Sequence, residues 1–349
     1  MTHTQEIIQR AWRRKNALFF VVLLPLSWIF ALVTLLRRWA YRFGVLKSYA
    51  LPVPVIIIGN IHVGGSGKTP MVIWLVQQLK QLGYRPAVIS RGYGGSTKLP
   101  TAVNANSKPK IVGDEPVLIA NRCDCPVWVG ADRVHVGVEL LKAHPDCNVI
   151  ISDDGLQHYR LQRDMEIAVI DSETYFKNAR LLPAGSLREP MRRLQTVDAV
   201  IKNGHKNTEN YQPVNMANNY QIQLIGSEFY NLAEPALKAN AADFKRKSIK
   251  ALAGIGNPAR FFEHLRQLGL NFATSSFDDH YPFTAFDLAK MECDVVLMTE
   301  KDAVKCRPFA QAHHWVLPIE AVIEGDLIQL VLQKLHKRRH QVTNVKFSE

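Results

Sequence analysis

A chain of 349 residues with 47% hydrophobic composition can bury one large core or two ordinary ones, and two domains fit that length better. Its formal net charge of +12 invites a nucleic-acid reading, but the excess is concentrated: residues 1–50 hold Arg10, Arg13, Arg14, Lys15, Arg37, Arg38, Arg42 and Lys47 against Glu6 alone. Basic residues bracketing one apolar run point to anionic lipid rather than nucleic acid, and five scattered cysteines without a C-x-x-C pair argue against a disulfide framework or a zinc site.

Residues 17–36 form that run and carry no charge. A helix of this length reaches about 30 Å, the hydrocarbon thickness of a bilayer. Arg13, Arg14 and Lys15 lie on one side and Arg37 and Arg38 on the other, so a span in either orientation would export a basic cluster against the positive-inside tendency. The pattern therefore predicts a membrane-inserted N-terminal helix lying in the cytoplasmic leaflet, with a true span and a buried core helix as alternatives. A second basic cluster, Lys334, Lys337, Arg338 and Arg339, sits near the C-terminus.

Next, Val53 to Ile58 has the β-branched composition of a strand buried on both faces, and Met71 to Leu79 reads as a helix. Between them lies Gly59-Asn60-Ile61-His62-Val63-Gly64-Gly65-Ser66-Gly67-Lys68-Thr69-Pro70. Strand, glycine turn and helix in that order are the context of a phosphate-binding loop, because small residues let backbone N–H groups curl around a phosphate at a helix N-terminus. Gly64, Gly65, Ser66 and Gly67 are thus candidates to cradle the phosphates of ATP, Lys68 to reach the β/γ-phosphates and Thr69 to offer its hydroxyl to Mg²⁺. His62 stands where the Walker A pattern has its first glycine, so the match fails there by one residue.

Strands and helices then alternate to about residue 205: strands over 85–90, 126–129, 147–152, 166–170 and 197–201, with helices opening at Gly113 and Asp132. Such alternation predicts an α/β fold, a P-loop parallel sheet flanked by helices, with ligands at the carboxyl ends of the strands. Residues 203–218 lack periodicity and read as a linker. Strands over 220–224, 249–255 and 294–298 and helices over 258–268 and 326–335 predict a second, smaller α/β domain. The expected boundaries are 1–48 for the membrane helix, 49–205 for the P-loop domain, 206–225 for the linker and 226–340 for the second domain.

Val149 to Ser152 ends in Asp153-Asp154, an apolar strand delivering paired carboxylates as a Walker B acid is delivered to Mg²⁺. Phosphoryl transfer to a hydroxyl also needs a group to take the proton. Asp114, Asp153, Asp154, Asp279, His158 and His280 all remain open for that role. Asp114 at a helix start is equally a stabilising N-terminal charge.

The motifs then fall into one order. Gly59-Asn60 with Gly64 to Pro70, Ser90-Arg91-Gly92-Tyr93-Gly94, Gly113-Asp114-Glu115-Pro116, Asp153-Asp154-Gly155-Leu156-Gln157-His158, Leu182-Pro183-Ala184-Gly185 with Leu187-Arg188-Glu189-Pro190, Phe277 with Asp279-His280, and Thr299-Glu300-Lys301-Asp302 follow one another. Over residues 10 to about 320 the chain resembles the tetraacyldisaccharide 4′-kinases, the lipid A kinases of Gram-negative bacteria. That family's loop also lacks the first Walker glycine, while Ser186 stands where the family pattern has Pro. The resemblance implies ATP-dependent phosphorylation of the 4′-hydroxyl of a tetraacylated glucosamine disaccharide 1-phosphate, giving lipid IVA, at the cytoplasmic face of the inner membrane. It further implies Asp114 as base paired with His280 from the second domain, and Thr69, Glu115 and Asp154, with Asp153 close by, around Mg²⁺.

Arg91 and Tyr93, in a glycine-rich turn, could touch nucleotide or substrate, and Arg188 could receive the sugar 1-phosphate, since a guanidinium matches phosphate bidentately. Asp302 within Thr299-Glu300-Lys301-Asp302 could suggest guanine recognition, but the residue order differs from that of GTPases and the motif is set aside. The alternative function is a membrane-associated P-loop ATPase switch that positions partner proteins; such loops carry an extra lysine before the glycine pair, where this chain has Val63. A monomer that binds an acylated disaccharide, the cytoplasmic leaflet and no nucleic acid is expected.

Overall fold

The computed structural model describes residues 17–171, 179–204 and 218–346. Helix α1 (Ala17–Arg42) leads into strands β1 (Val55–Gly59), β2 (Pro86–Ser90), β3 (Thr101–Val103), β4 (Val127–Val129), β5 (Val149–Asp153), β6 (Met165–Asp171), β7 (Ala199–Asn203) and β8 (Asn219–Ile225). Among the described residues, β8-β7-β6-β1-β5-β2-β4 run parallel in that order, and β3 closes one edge antiparallel. The β-branched run explains the layering. Ile56 and Ile58 turn to one face, against Met71, Val72, Leu75 and Val76 of α2 (Lys68–Gln81), while Val55 and Ile57 turn to the other with Val136 and Leu140. Short α3 (Pro109–Val112) and α4 (Asp114–Cys123) follow, and α5 (Arg133–Ala143) carries Val136 and Leu140.

A second sheet contains β9 (Glu228–Asn231), β10 (Lys238–Asn240), β11 (Ile249–Ala253), β12 (Ala273–Ser276), β13 (Val295–Thr299) and β14 (His314–Leu317), in the order β10-β9-β14-β13-β11-β12. Strands β14, β13, β11 and β12 are parallel. On one side Phe261, Phe262 and Leu265 of α6 (Pro258–Gln267) pack with Phe229, Phe244 and Trp315. On the other, Leu288 of α7 (Ala285–Ala289) and Ala303 and Cys306 of α8 (Glu300–Cys306) join Phe283 and Met291.

Sheet pairing draws the boundaries differently from those expected. Residues 206–217 of the expected linker lie outside the described residues, but 219–225 is β8, paired parallel to β7. The chain also returns: β15 (Glu320–Glu324) pairs antiparallel with β8, and Leu327, Val331 and Leu335 of α9 (Leu327–Lys346) are buried in the first core. The second unit is therefore an insertion, residues 228–317, in an edge of the first. Gly226 and Pro318, one on each crossing, lie against each other. Period-two alternation over 220–224 marks a strand but not the sheet it joins.

Helix α1 does not bury its apolar surface in the protein. Ser27 Oγ donates to Leu181 O at 2.9 Å, Arg38 to Thr196 Oγ1 at 3.1 Å, and the Tyr41 and Tyr159 rings sit 6.0 Å apart. These residues recur at helical spacing on one face, whereas Val22, Leu26, Ile29, Leu32, Val33, Leu36 and Trp39 are exposed on the other.

Removing methylenes from a fully buried site costs transfer and cavity energy together. Leu335→Ala should lower the unfolding free energy by about 2–5 kcal/mol in urea titration, although sequence position would assign that helix to the other unit.

Candidate active site

Both sheets aim the carboxyl ends of their parallel strands at one cleft. Gly59, Ser90, Asp153, Asp171 and Asn203 end strands of the first sheet, and Ala253, Ser276 and Thr299 end strands of the second.

The glycine loop after β1 is pinned from several sides. Asn60 Nδ2 donates to Gly64 O and Ser66 Oγ, both at 3.3 Å, and Asn203 Nδ2 to Ser66 O at 3.0 Å. Val63 N donates to Ser186 O at 2.8 Å, and Arg188 N to Ile61 O at 2.7 Å. Gly67 adopts φ 93° just before Lys68 and Thr69 open α2. His62 is buried; Asp171 N donates to its Nε2 at 3.4 Å, and its Nδ1 lies 3.3 Å from Val63 O. Burial lowers its pKa to about 4, so the ring is neutral and serves the loop as a structural link between β1 and β6.

Lys68 Nζ lies 3.5 Å from Asp154 Oδ1, and Arg188 donates to both Asp154 oxygens at 3.0 and 3.2 Å. Arg188, read from sequence as a ligand for the sugar phosphate, thus faces the acidic turn beside the phosphate loop. Burial alone would raise the Asp154 carboxyl, but Lys68 and Arg188 outweigh it and hold it well below the usual range. Fully buried Arg133, from the start of α5, donates to the carbonyls of Asp153 (3.1 Å) and Asp154 (2.8 Å) and fixes the turn. Nothing in its sequence neighbourhood marked it.

Asp153 differs. Its Oδ2 accepts from Ser90 Oγ at 3.3 Å, while its Oδ1 is buried with no hydrogen-bond partner among the described residues. Burial, then the carboxylates of Glu115 and Asp154, push its pKa to about 7. Among the described residues no three acidic, His or Cys side chains are drawn close enough together to hold a metal ion. An orphaned buried oxygen among mutually repelling carboxylates is nonetheless a donor set that fits a hard divalent cation such as Mg²⁺.

Opposite, Asp114 starts α4. The preceding Gly113 has φ 91°, and a Cβ there would come within 2.7 Å of Tyr93 O, so only glycine brings the Ser90–Gly94 turn this close to the helix start. His280, itself at φ 62°, points Nδ1 at Asp114 with 2.9 Å to each carboxylate oxygen. Burial would raise the Asp114 carboxyl, but the His280 hydrogen bond and the Lys301 and Lys305 charges hold it below its ordinary value. Tyr93 is exposed with its ring 5.2 Å from that of His280, and exposed Arg91 lies on the same turn. Two further contacts join the units: Arg260 donates to Asp171 at 3.0 Å, and a Cβ on Gly256 would come within 2.9 Å of the Gly65 nitrogen.

A phosphate loop, an acidic strand end and a cross-unit Asp–His pair therefore share one cleft. The family model described as Tetraacyldisaccharide-1-P 4′-kinase matches residues 19–336. A tetraacyldisaccharide 4′-kinase of Methylobacillus flagellatus is 49% identical over 94% of this chain and 95% of its own length. This chain belongs to the tetraacyldisaccharide 4′-kinase family. Another member, from Nitrosococcus oceani, is 45% identical over 99% of both chains. The crystal structure of an "apo" form LpxK from Aquifex aeolicus in complex with ATP superposes with a TM-score of 0.77 at 30% identity, covering 91% of this chain and 99% of that one. As a member of this family, the chain is a kinase.

Within this kinase fold, Lys301 and Lys305 were not singled out from the sequence. Lys301 Nζ lies 2.9 Å from Glu115 Oε1 and 3.0 Å from Asp279 Oδ1; Lys305 Nζ lies 2.9 Å from Asp302 Oδ1 and 3.9 Å from Asp114 Oδ2. The signal was present in Thr299-Glu300-Lys301-Asp302, an apolar strand ending in a capped helix start.

Asp153 titrates near 7 when folded against about 3.9 in an unfolded chain, so the folded state binds the extra proton between those values and stability falls as pH rises from about 4 to 7. Thermal unfolding should show that fall to be smaller in Asp153→Asn. At pH 8, Mg²⁺ should raise the melting temperature of the wild type and leave that of the variant unchanged.

Proposed function

We propose that this chain transfers the γ-phosphoryl group of ATP to the 4′-hydroxyl of a tetraacylated glucosamine disaccharide 1-phosphate at the cytoplasmic face of the inner membrane, giving lipid IVA. One observation carries the assignment of roles: the 2.9 Å Asp114–His280 pair spans two units across the cleft that the phosphate loop lines.

Gly64, Gly65, Ser66 and Gly67 offer backbone N–H groups to the nucleotide phosphates, and Lys68 adds a charge that now rests on Asp154. Thr69, Glu115, Asp153 and Asp154 would hold Mg²⁺, which when bound neutralises charge on the phosphate oxygens. Asp114 accepts the proton of the incoming hydroxyl. Its carboxyl stays ionised because His280, Lys301 and Lys305 surround it, and His280 Nδ1–H fixes the orientation in which one oxygen meets the sugar. Tyr93, exposed beside His280, and Arg91, exposed on the same turn, would touch the disaccharide. Arg188 contacts Asp154, as Lys68 does, which favours a role beside the transferred phosphoryl over one at the sugar 1-phosphate.

The acyl chains give α1 its task. From Ser27 to Tyr41, about 21 Å at 1.5 Å per residue, the helix keeps one face on the globular surface and turns the other outward. That geometry favours insertion into one leaflet, because a span would have to shed these contacts to gain lipid all round.

Purified protein should move label from γ-labelled ATP to the 4′-position of the tetraacylated disaccharide faster than to water; release of free phosphate alone would overturn the reading. Asp114→Ala should cut kcat by roughly 10²- to 10⁴-fold with ATP affinity nearly intact. Ile29→Glu combined with Leu32→Glu should move the protein from the vesicle pellet to the supernatant in sedimentation with anionic vesicles.

A further inference from the structure

The Asp–His pair is one side of a closed circuit of charge, and the residue that closes it enters the reading above only as one of the charges around Asp114. Lys301 stands in the first turn of α8, on the second unit. Its ammonium reaches Glu115 at 2.9 Å on the first unit and Asp279 at 3.0 Å on its own. Glu115 is the neighbour of Asp114; Asp279 is the neighbour of His280, and its Oδ2 lies 3.7 Å from His280 Nε2. Asp114 and His280 then meet at 2.9 Å. Two peptide links and three charged contacts thus form a ring of five side chains across the cleft, with one cation holding the carboxylates beside both partners of the pair.

We propose that Lys301 is the positioning residue of the phosphoryl-transfer site: it ties the residues carrying Asp114 and His280 to each other, so that the proton-accepting carboxylate and its imidazole are aligned before substrate arrives. The proposal rests on the reading of Asp114 and His280 as the proton-taking pair. Three features favour positioning over a generic ion pair. The Lys301 side chain is only 15% exposed, so its contacts are poorly screened and rigidly held. His280 is held at φ 62°, a backbone conformation that a non-glycine residue keeps only where its surroundings impose it, and the neighbouring Asp279 side chain is gripped by Lys301. The helix bearing Lys301 is itself fixed to the first unit, since Glu300 accepts from Arg122 of α4 at 2.8 Å through both oxygens. Asp114 and Glu115 begin α4 and Arg122 lies near its end, so the first turn of α8 is clamped to both ends of α4 and the ring cannot slip in register.

Five variants test this: Lys301→Met, Lys301→Arg, Asp279→Asn, Asp114→Asn, and Lys301→Met combined with Asp114→Asn. Each is assayed for kcat with γ-labelled ATP and the tetraacylated disaccharide, and for nucleotide affinity by titration with a fluorescent ATP analogue. Lys301→Met and Asp279→Asn should each lower kcat by roughly 10- to 100-fold while nucleotide affinity stays within about threefold. Lys301→Arg, which keeps the charge and can span both carboxylates, should recover most of the loss. Because Lys301 acts through Asp114, Lys301→Met should cost little more once Asp114→Asn is present. Wild-type kcat in Lys301→Met, a loss that multiplies undiminished with Asp114→Asn, or a matching loss of nucleotide affinity would each overturn the proposal. Should Lys301→Met not fold, Asp279→Asn opens the ring from its other side and decides by the same criteria. Wild-type turnover of Asp114→Asn alone would instead remove the base reading, a failure distinct from that of the lysine.

Discussion

Charge compensation in a buried space governs this cleft. Asp114, Glu115, Asp153, Asp154, Asp279 and Asp302 lie at or beside strand ends and helix starts, where neither unit could tolerate them uncompensated. Cations from both units answer them: Lys68 and Arg188 on Asp154, Lys301 on Glu115 and Asp279, Lys305 on Asp302, and His280 on Asp114. Asp153 lacks such a partner among the described contacts and is pushed toward neutrality, and so the cleft reads as a set of balanced pairs around one unbalanced oxygen. Two of those six pairs, Lys301–Glu115 and His280–Asp114, cross from one unit to the other, which makes relative placement of the units an electrostatic matter as much as one of packing.

Much of this was readable in the chain. The run Val55 to Ile58 was a buried parallel strand because no polar residue interrupts it, and the glycine loop, the Asp153-Asp154 turn and the helix start at Asp114 sit where strand periodicity breaks. His62 looked like a defect in the loop and proves to be a buried acceptor for the Asp171 amide. His280 could not be found by local pattern: it is one of twelve histidines, and its partner is 166 residues away. Lys301 was overlooked for a related reason, since the motif around it was weighed as a base-recognition signature and its two carboxylate partners come from separate segments. The family resemblance supplied the Asp114–His280 pairing that residue types alone left open among six candidates.

Short strands at or next to sheet edges were the other blind spot. Strands β3, β9, β10 and β12 have three or four residues, too few for period-two alternation to stand out. The outward face of α1 was visible as composition, but not which side chains would touch the body of the protein. That depended on Leu181, Thr196 and Tyr159, which lie far along the chain.

The return of β15 and α9 to the first sheet has a kinetic consequence. Until the ends at Ile225 and Glu320 meet, the first unit cannot complete its edge, and bringing together the ends of about 95 slack residues costs on the order of 4–5 kcal/mol of chain entropy. A prefolded insert, with Gly226 already against Pro318, would remove most of that penalty. The nested topology thus favours an order of assembly in which the inner unit matures first and the outer one, holding the nucleotide loop, closes around its two ends. A nascent chain would then acquire its catalytic cleft late, only after the final helix has left the ribosome.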